Sequence, residues 1–365
     1  MALFKTYKIS QLPIFLILLT TLLVAIGATV LYSAGGKYYT LFSIKHIVFF
    51  VIGLLSMFVV SLIHPKMIEK YSYIVYFMSI VLLVGVEFFG IRAMGAKRWL
   101  GTKSFRFQPA EIAKISLILG LAKYLSLLGI NRIHKLSYTI PAFFIIMLPA
   151  ILIIKQPDLG TGMIIIFIGA IMMFGAGVRF WKFMFIGISV CVAIPFIWSK
   201  LHDYQKNRIL VFLNPELDSL GIGYNIIQSK IAIGSGGIFG KGFLGGTQSH
   251  LSFLPEHQTD FIFATFAEEF GFVGAIILIV IYLMILLTNT MLAFKIHNQF
   301  VKLIIIGVNA LIFCHVYINI GMVSGIMPVV GVPLPFLSLG GANLVSTMIG
   351  LGLIVNGCVH KNSKF

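Results

Sequence analysis

Charge is what this 365-residue chain has least of. Only 10% of its residues are Asp, Glu, Lys or Arg, against about 25% in soluble globular domains. With 59% apolar residues and a mean hydropathy of +1.03, a soluble globular fold is excluded. Cysteine is also scarce. Cys191, Cys314 and Cys358 each sit inside an apolar run, with no CxxC and no nearby His pair, which excludes a disulfide framework and a zinc site. Acids number 11 against 27 Lys and Arg, a net charge of +16, but no basic block exceeds a few residues. That thin spread argues against a nucleic-acid partner and for an anionic membrane surface or an anionic lipid-linked substrate. No small-x-small cleavage site followed by a soluble domain closes the first apolar run, so it reads as a retained helix.

What the chain does have is apolar length. At about 20 residues per spanning helix, stretches at 12–32, 44–63, 72–90, 108–128, 138–154, 159–178, 182–199, 259–287, 303–324 and 343–359 predict ten spans. The expected fold class is an all-α integral membrane protein with both termini cytoplasmic. It is one polytopic domain over 1–365, with a large extracytoplasmic loop at about 200–258 between helices 7 and 8. With the N-terminus inside, thirteen cations fall on each side; discounting the 59-residue loop leaves thirteen inside against eight outside and sets that orientation. Five of the outer cations crowd the short loop 91–107, and among the acids only Glu69 lies in an inner loop. Exported basic loops oppose insertion, so the chemistry is expected on the outer face.

Three junctions carry candidate chemistry. In the first, Lys97-Arg98-Trp99 is followed by Arg106-Phe107-Gln108-Pro109, with Glu111 and Lys114 three residues apart on one helix face. One reading is an intrahelical ion pair with Trp99 as an interfacial anchor. The other is a basic pocket for a diphosphate, with Trp99 covering a sugar or isoprenoid. In the second, Asp158 of Lys155-Gln156-Pro157-Asp158 either caps the next helix through Gly160 or Thr161 or orients substrate or a metal. In the third, Glu256-His257-Gln258-Thr259-Asp260 opens the helix carrying Glu268 and Glu269. Here Asp260 reads as an N-cap, or as a general base if an acceptor hydroxyl comes within reach.

The long loop is rich in glycine. Gly240-Lys241-Gly242-Phe243-Leu244-Gly245 matches GxGxxG, but no strand-to-helix unit surrounds it, and a Walker A reading fails at Ser235 and Gly242. Such a segment still lets backbone approach a ligand closely. From Asn319 to Gly341, glycines, prolines and two serines interrupt an otherwise apolar region. Broken helix at membrane depth survives only where protein or a wet cavity satisfies the backbone, which fits a substrate cavity or a transporter's discontinuous helix.

Together these segments resemble the SEDS family, which includes RodA, FtsW and SpoVE. The Asn319–Gly341 stretch follows the family's C-terminal signature, departing at Leu339, where Tyr is usual, and at Ala342, where Ser or Thr is usual. The His202–Arg208 run, Gly223–Gly237 and Phe253-Leu254-Pro255-Glu256 through Asp260 are most like the RodA members. The resemblance spans nearly the whole chain. It implies an inverting glycosyltransferase of the cell (inner) membrane that polymerises lipid II into peptidoglycan during cell elongation and cell-shape maintenance. It further implies that Asp260 is the essential carboxylate, that Trp99 is important, and that undecaprenyl diphosphate is released. The implied partners are a class B penicillin-binding protein transpeptidase, other elongation-complex proteins and membrane lipids, with no nucleic acid. On charge and location, Lys97, Arg98, Arg106 and Lys114 are expected at the leaving diphosphate, with Trp99, Glu111 and Asp158 completing the substrate site. No residue set demands a metal, and a divalent cation (Mg or Mn) is compatible with the chemistry. The competing reading is a lipid-linked precursor flippase or secondary transporter using Asp158 or Glu268 as a relay. No inverted repeat supports it, and the acids crowd one face. Gly271-xx-Gly274 could serve the transpeptidase's anchor or pack within the bundle.

Overall fold

A computed structural model of the chain describes residues 12–35, 39–93, 96–101, 106–128, 130–200, 203–218, 221–250, 253 and 256–360. The elements in chain order are α1 (Ile14–Ala34), α2 (Tyr39–Leu62), α3 (Pro65–Phe89), β1 (Ile91–Ala93), β2 (Ala96–Gly101), β3 (Arg106–Phe107), α4 (Pro109–Ser126), α5 (Ile130–Ile133), α6 (Leu136–Lys155), α7 (Leu159–Gly175) and α8 (Phe180–Lys200). There follow α9 (Asp203–Leu213), a 3-10 turn (Pro215–Asp218), α10 (Ile222–Ser235), α11 (Thr247–His250), α12 (Ile262–Lys295), α13 (Gln299–Val323) and α14 (Gly341–Val359). Each expected apolar stretch coincides with a helix. Among the described residues seven helices are long and apolar enough to cross a membrane, and α7 and part of α8 are shorter apolar helices. The protein is a multi-span helical membrane protein.

One feature departs from the expected all-α chain, and the large loop carries helices of its own. Residues 91–93, 96–101 and 106–107 form a three-stranded antiparallel sheet in the order β1-β2-β3. The described residues of the 200–258 region are largely helical, with α10 packed on α12 and α13, and Ser229 Oγ on α10 donates to Val323 O at 2.9 Å. The core lies where α4, α7, α13 and α14 meet, lined by residues such as Leu117, Ile118, Ile168, Ile305 and Met348. Helices α2 and α3 pack outward of it, on α14 and α4 respectively. Their other faces carry exposed Leu, Val, Ile and Phe, as a lipid-facing surface does.

α12 is broken at Gly271, where φ is 67° and ψ −166°, a conformation open only to glycine. The break frees carbonyls and amides that a bilayer cannot satisfy, and the 236–242 turn supplies the partners. Lys241 N and Gly242 N donate to Glu268 O and Glu269 O, each at 3.0 Å, while Phe272 N and Val273 N donate to Gly237 O at 2.9 Å and Ile238 O at 3.1 Å. The glycine-rich loop is therefore a splint across a broken helix. Gly271 serves this break, and a side chain at Gly274 would collide with Phe270 of its own helix.

Candidate active site

The junctions on one end of the bundle converge. Arg98, on β2 between α3 and α4, donates to Gln156 O at 3.3 Å and to Pro157 O, between α6 and α7. His257 Nε2 meets Ala34 O, at the end of α1, at 2.9 Å. Asn319, on α13, reaches the turn before α12. Asp260 sits at this meeting point.

Its backbone and that of its neighbours are fixed from α13 and the broken 324–340 segment. Asn319 Nδ2 donates to Asp260 O at 2.8 Å and to Val332 O at 2.7 Å. Ser338 Oγ donates to Thr259 O at 2.6 Å and accepts from Leu334 N at 2.8 Å, while Leu339 N donates to Gln258 O at 2.9 Å. The last bond is main-chain, so Leu in place of the family's Tyr leaves it intact. Gly331, at φ 73°, lies so close that a Cβ there would come within 3.2 Å of Asp260 Oδ2. The side chain of Asp260 does not cap α12, whose N-cap position is Phe261; the N-cap reading fails and the carboxylate is left for other work. Loss of water around it pushes its pKa from 3.8 up to about 6. Repulsion from Glu256, and less from Asp158, adds to the rise, and Arg208 and Arg98 oppose it.

Asp158 is an N-cap, as one of its readings held. It accepts from Thr161 N at 3.2 Å and Thr161 Oγ1 at 3.1 Å, and also from Gln108 Nε2 at 3.4 Å, with the Arg98 guanidinium 3.9 Å away. Strand alternation puts Arg98 and Leu100 on one face of β2 and Lys97 and Trp99 on the other. The basic cluster is thus divided. Arg98 faces the aspartates, whereas half-buried Lys97 and Trp99, with exposed Arg106 on β3, line the opposite side.

Glu111 and Lys114 fall elsewhere, and the diphosphate-facing placement needs correction. They form the intrahelical pair, 2.8 Å apart, but it is turned into the bundle with Lys114 only 1% exposed. Lys114 Nζ also meets His315 Nε2 at 2.9 Å, Ser346 Oγ donates to Glu111 Oε2 at 2.7 Å, and His315 Nδ1 lies 3.2 Å from Pro333 O. A lysine donating to Nε2 leaves the proton on Nδ1, pointed at that carbonyl. Burial of an ion pair demands such complete satisfaction, so this network braces the 324–340 segment from beneath. Glu268 is likewise committed: it accepts from Lys241 Nζ at 2.7 Å, Thr247 N at 2.8 Å, Thr247 Oγ1 at 2.9 Å and Gln248 N at 3.2 Å. It therefore ties the loop to α12, and a proton relay would have to break these bonds.

Sequence reasoning missed Arg208, Asn319, Ser338 and His315 as parts of this site. The polar residues interrupting 319–341 were the available signal for Asn319 and Ser338; nothing marked His315. Among the described residues no group of three or more His, Cys, Asp or Glu is arranged to hold a metal ion.

A multi-span helical protein with a carboxylate at one end of the bundle, in the field of two guanidinium groups, is the class that fold and site define. The family model described as "Cell cycle protein", that of FtsW, RodA and SpoVE, matches residues 10–364, and the chain belongs to this family. It is 42% identical to the peptidoglycan glycosyltransferase MrdB of Escherichia coli (strain K12), over 98% of this chain and 96% of that protein. Its fold matches a chain from a peptidoglycan synthase complex with a TM-score of 0.83 and 30% identity, covering 97% of this chain and 99% of that one. The crystal structure of Thermus thermophilus rod shape determining protein RodA matches with a TM-score of 0.73 at 25% identity, over 98% and 99% of the two chains.

Proposed function

We infer that the chain is a peptidoglycan glycosyltransferase that polymerises lipid II at the outer face of the cell membrane during elongation. The observation that carries this reading is the backbone clamp on Asp260, which holds one carboxylate beside Arg98 and Arg208. A pKa near 6 leaves it mostly ionised at neutral pH yet basic enough to take a proton, the poise a general base needs. Asp260 accepts the proton of the acceptor sugar's 4-hydroxyl as that oxygen attacks the donor's anomeric carbon from the face opposite the diphosphate, which departs with inversion. Arg98 and Arg208, whose charges bear on Asp260, neutralise the growing charge on the leaving diphosphate. Lys97, Trp99 and Arg106, on the other side of the sheet, receive the more distant parts of the lipid-linked chain. Asp158 holds Arg98 in place, and Glu111 and Lys114 support the site from within. A Mg or Mn ion fits only if substrate oxygens supply most of its ligands, with Asp260 or Asp158 contributing the protein's share.

Ten crossings in a single polytopic domain, with both termini inside, place this end of the bundle outside. The positive-inside count supports that orientation. So does the gathering at one end of the junctions after α1, α3, α6, α8 and α13, as alternate crossings require. The synthase-complex relative supports a transpeptidase partner of the class B penicillin-binding type. The test is glycan-strand formation from purified lipid II by wild type and Asp260→Asn, each co-purified with its transpeptidase and with divalent cation varied. Polymer from wild type alone is the expected result; equal polymer from both removes Asp260 as the base.

A further inference from the structure

The 236–242 turn does more than close the break in α12, because it displays two large apolar side chains that none of the described residues covers. Ile238 is 63% exposed and Phe239 81% exposed, although they lie in a polar, glycine-rich extramembrane loop. Their height relative to the bilayer is fixed, since Phe272 N and Val273 N of α12 donate to Gly237 O and Ile238 O.

α12 itself measures where that height falls. From Ile262 to Glu269 every residue is buried in protein. From Phe272 onward the helix presents exposed apolar residues, among them Ile277, Leu283, Leu287 and Met291, ending at Phe294; Lys295 closes the helix. The 22 steps from Phe272 to Phe294 span about 33 Å at 1.5 Å per residue, close to the ~30 Å hydrocarbon thickness of a bilayer. Phe272 therefore marks the hydrocarbon edge on the Asp260 side, and the turn bonded to it lies at that edge.

We propose that the 236–242 turn is a membrane anchor whose Ile238 and Phe239 side chains enter the acyl-chain edge of the leaflet on the Asp260 side, pinning the extramembrane loop to the bilayer. Continuity with the exposed band of α12 identifies lipid as the occupant. An apolar pair at this depth is driven out of water, while Lys241, two residues beyond Phe239, keeps its charge on Glu268. Because the same loop runs on to Asp260, the anchor sets the height of the site above the membrane surface.

The test uses the full chain reconstituted in phospholipid vesicles, with Cys191→Ser removing the exposed native thiol. A nitroxide is attached at Phe239→Cys and, as references, at Phe294→Cys for the opposite hydrocarbon edge and Lys206→Cys for the loop. Collision rates with oxygen, which concentrates in lipid, are compared with those of a water-soluble nickel chelate. The proposal expects oxygen to dominate at position 239 as at 294, with the ratio reversed at 206. Dominance of the nickel chelate at 239 overturns it in favour of a solvated loop. Protection from both reagents overturns it in favour of a protein partner covering the turn. The readout does not depend on enzymatic activity, so it stands or falls separately from the proposed function.

Discussion

Replacing Asp260 by Asn should abolish polymerisation and, at neutral pH, stabilise the protein. The carboxyl pKa rises from 3.8 to about 6 on folding, and at 1.36 kcal/mol per unit the ionised side chain carries a penalty of up to about 3 kcal/mol. The side chain keeps some contact with water, so screening leaves roughly 1–3 kcal/mol. The sign follows from proton binding. Below pH 3.8 the group is protonated in both folded and unfolded chains and contributes nothing. Between 3.8 and about 6 the folded chain holds a proton the unfolded chain has lost, so stability falls as pH rises through that window, and above it the whole penalty is present. The neutral amide escapes it. Thermal unfolding of detergent-solubilised wild type and Asp260→Asn should therefore show the variant more stable at pH 8, with the difference fading toward pH 4. A variant less stable than wild type at pH 8 would mean that Arg98 and Arg208 favour the carboxylate by more than burial disfavours it, and would refute the reasoning. The wild-type rate should fall on the acid side with an apparent pKa of about 6.

The neighbours of Asp260 should move that acid limb in opposite directions. Arg98→Gln removes a charge that lowers the pKa and shifts the limb to higher pH, whereas Glu256→Gln removes one that raises it and shifts the limb lower, both read from rate against pH. Asn319→Ala leaves two carbonyls without their donor, about 1–3 kcal/mol. Because one of them is Asp260's own, the polymerisation rate should drop far more than the unfolding temperature, and Ser338→Ala should behave alike. Gly271→Ala should prevent accumulation of folded protein. Its backbone conformation alone costs about 1–3 kcal/mol, and the added Cβ would stand 2.3 Å from Gly240 N; size-exclusion profiles of the expressed variant check this.

Much of the fold was legible because membrane helices announce themselves by length. The apolar stretches found their helices, with edges displaced where charge or kinking intervened: α12 runs to Lys295 rather than 287 because its first turns are buried in protein and its exposed apolar band starts only at Phe272. The sheet at 91–107 was not legible. Its strands are two to six residues long, too short for alternation to stand out among basic residues. Asp260 could be singled out because an acid at the mouth of a span needs a reason. Lys114 was misplaced by the same logic. Charge and position near a helix start predict exposure, but the groups that make burial of the pair tolerable, His315 at Lys114 and Ser346 at Glu111, lie more than 200 residues away in sequence, and no local pattern connects them.

The two helix breaks explain why the site stands where it does. At Gly271 the freed backbone groups of α12 are taken up by the 236–242 turn. Between α13 and α14 the chain abandons helix for 324–340, and its amides and carbonyls are taken up by Asn319, Ser338 and the 258–260 backbone. Each break exchanges bonds internal to a helix for bonds between distant segments, and Asp260 lies on the short stretch joining the two exchanges. Displacing the backbone that carries Asp260 would disrupt its hydrogen bonds to Asn319 and those of the neighbouring residues to Ser338 and Leu339, in surroundings where water offers little replacement. A general base needs to be held against an incoming hydroxyl and a departing diphosphate without moving toward either. The clamp from α13 and the 324–340 segment would give Asp260 that rigidity in the proposed role, and a rocking transporter would have to give it up on every cycle.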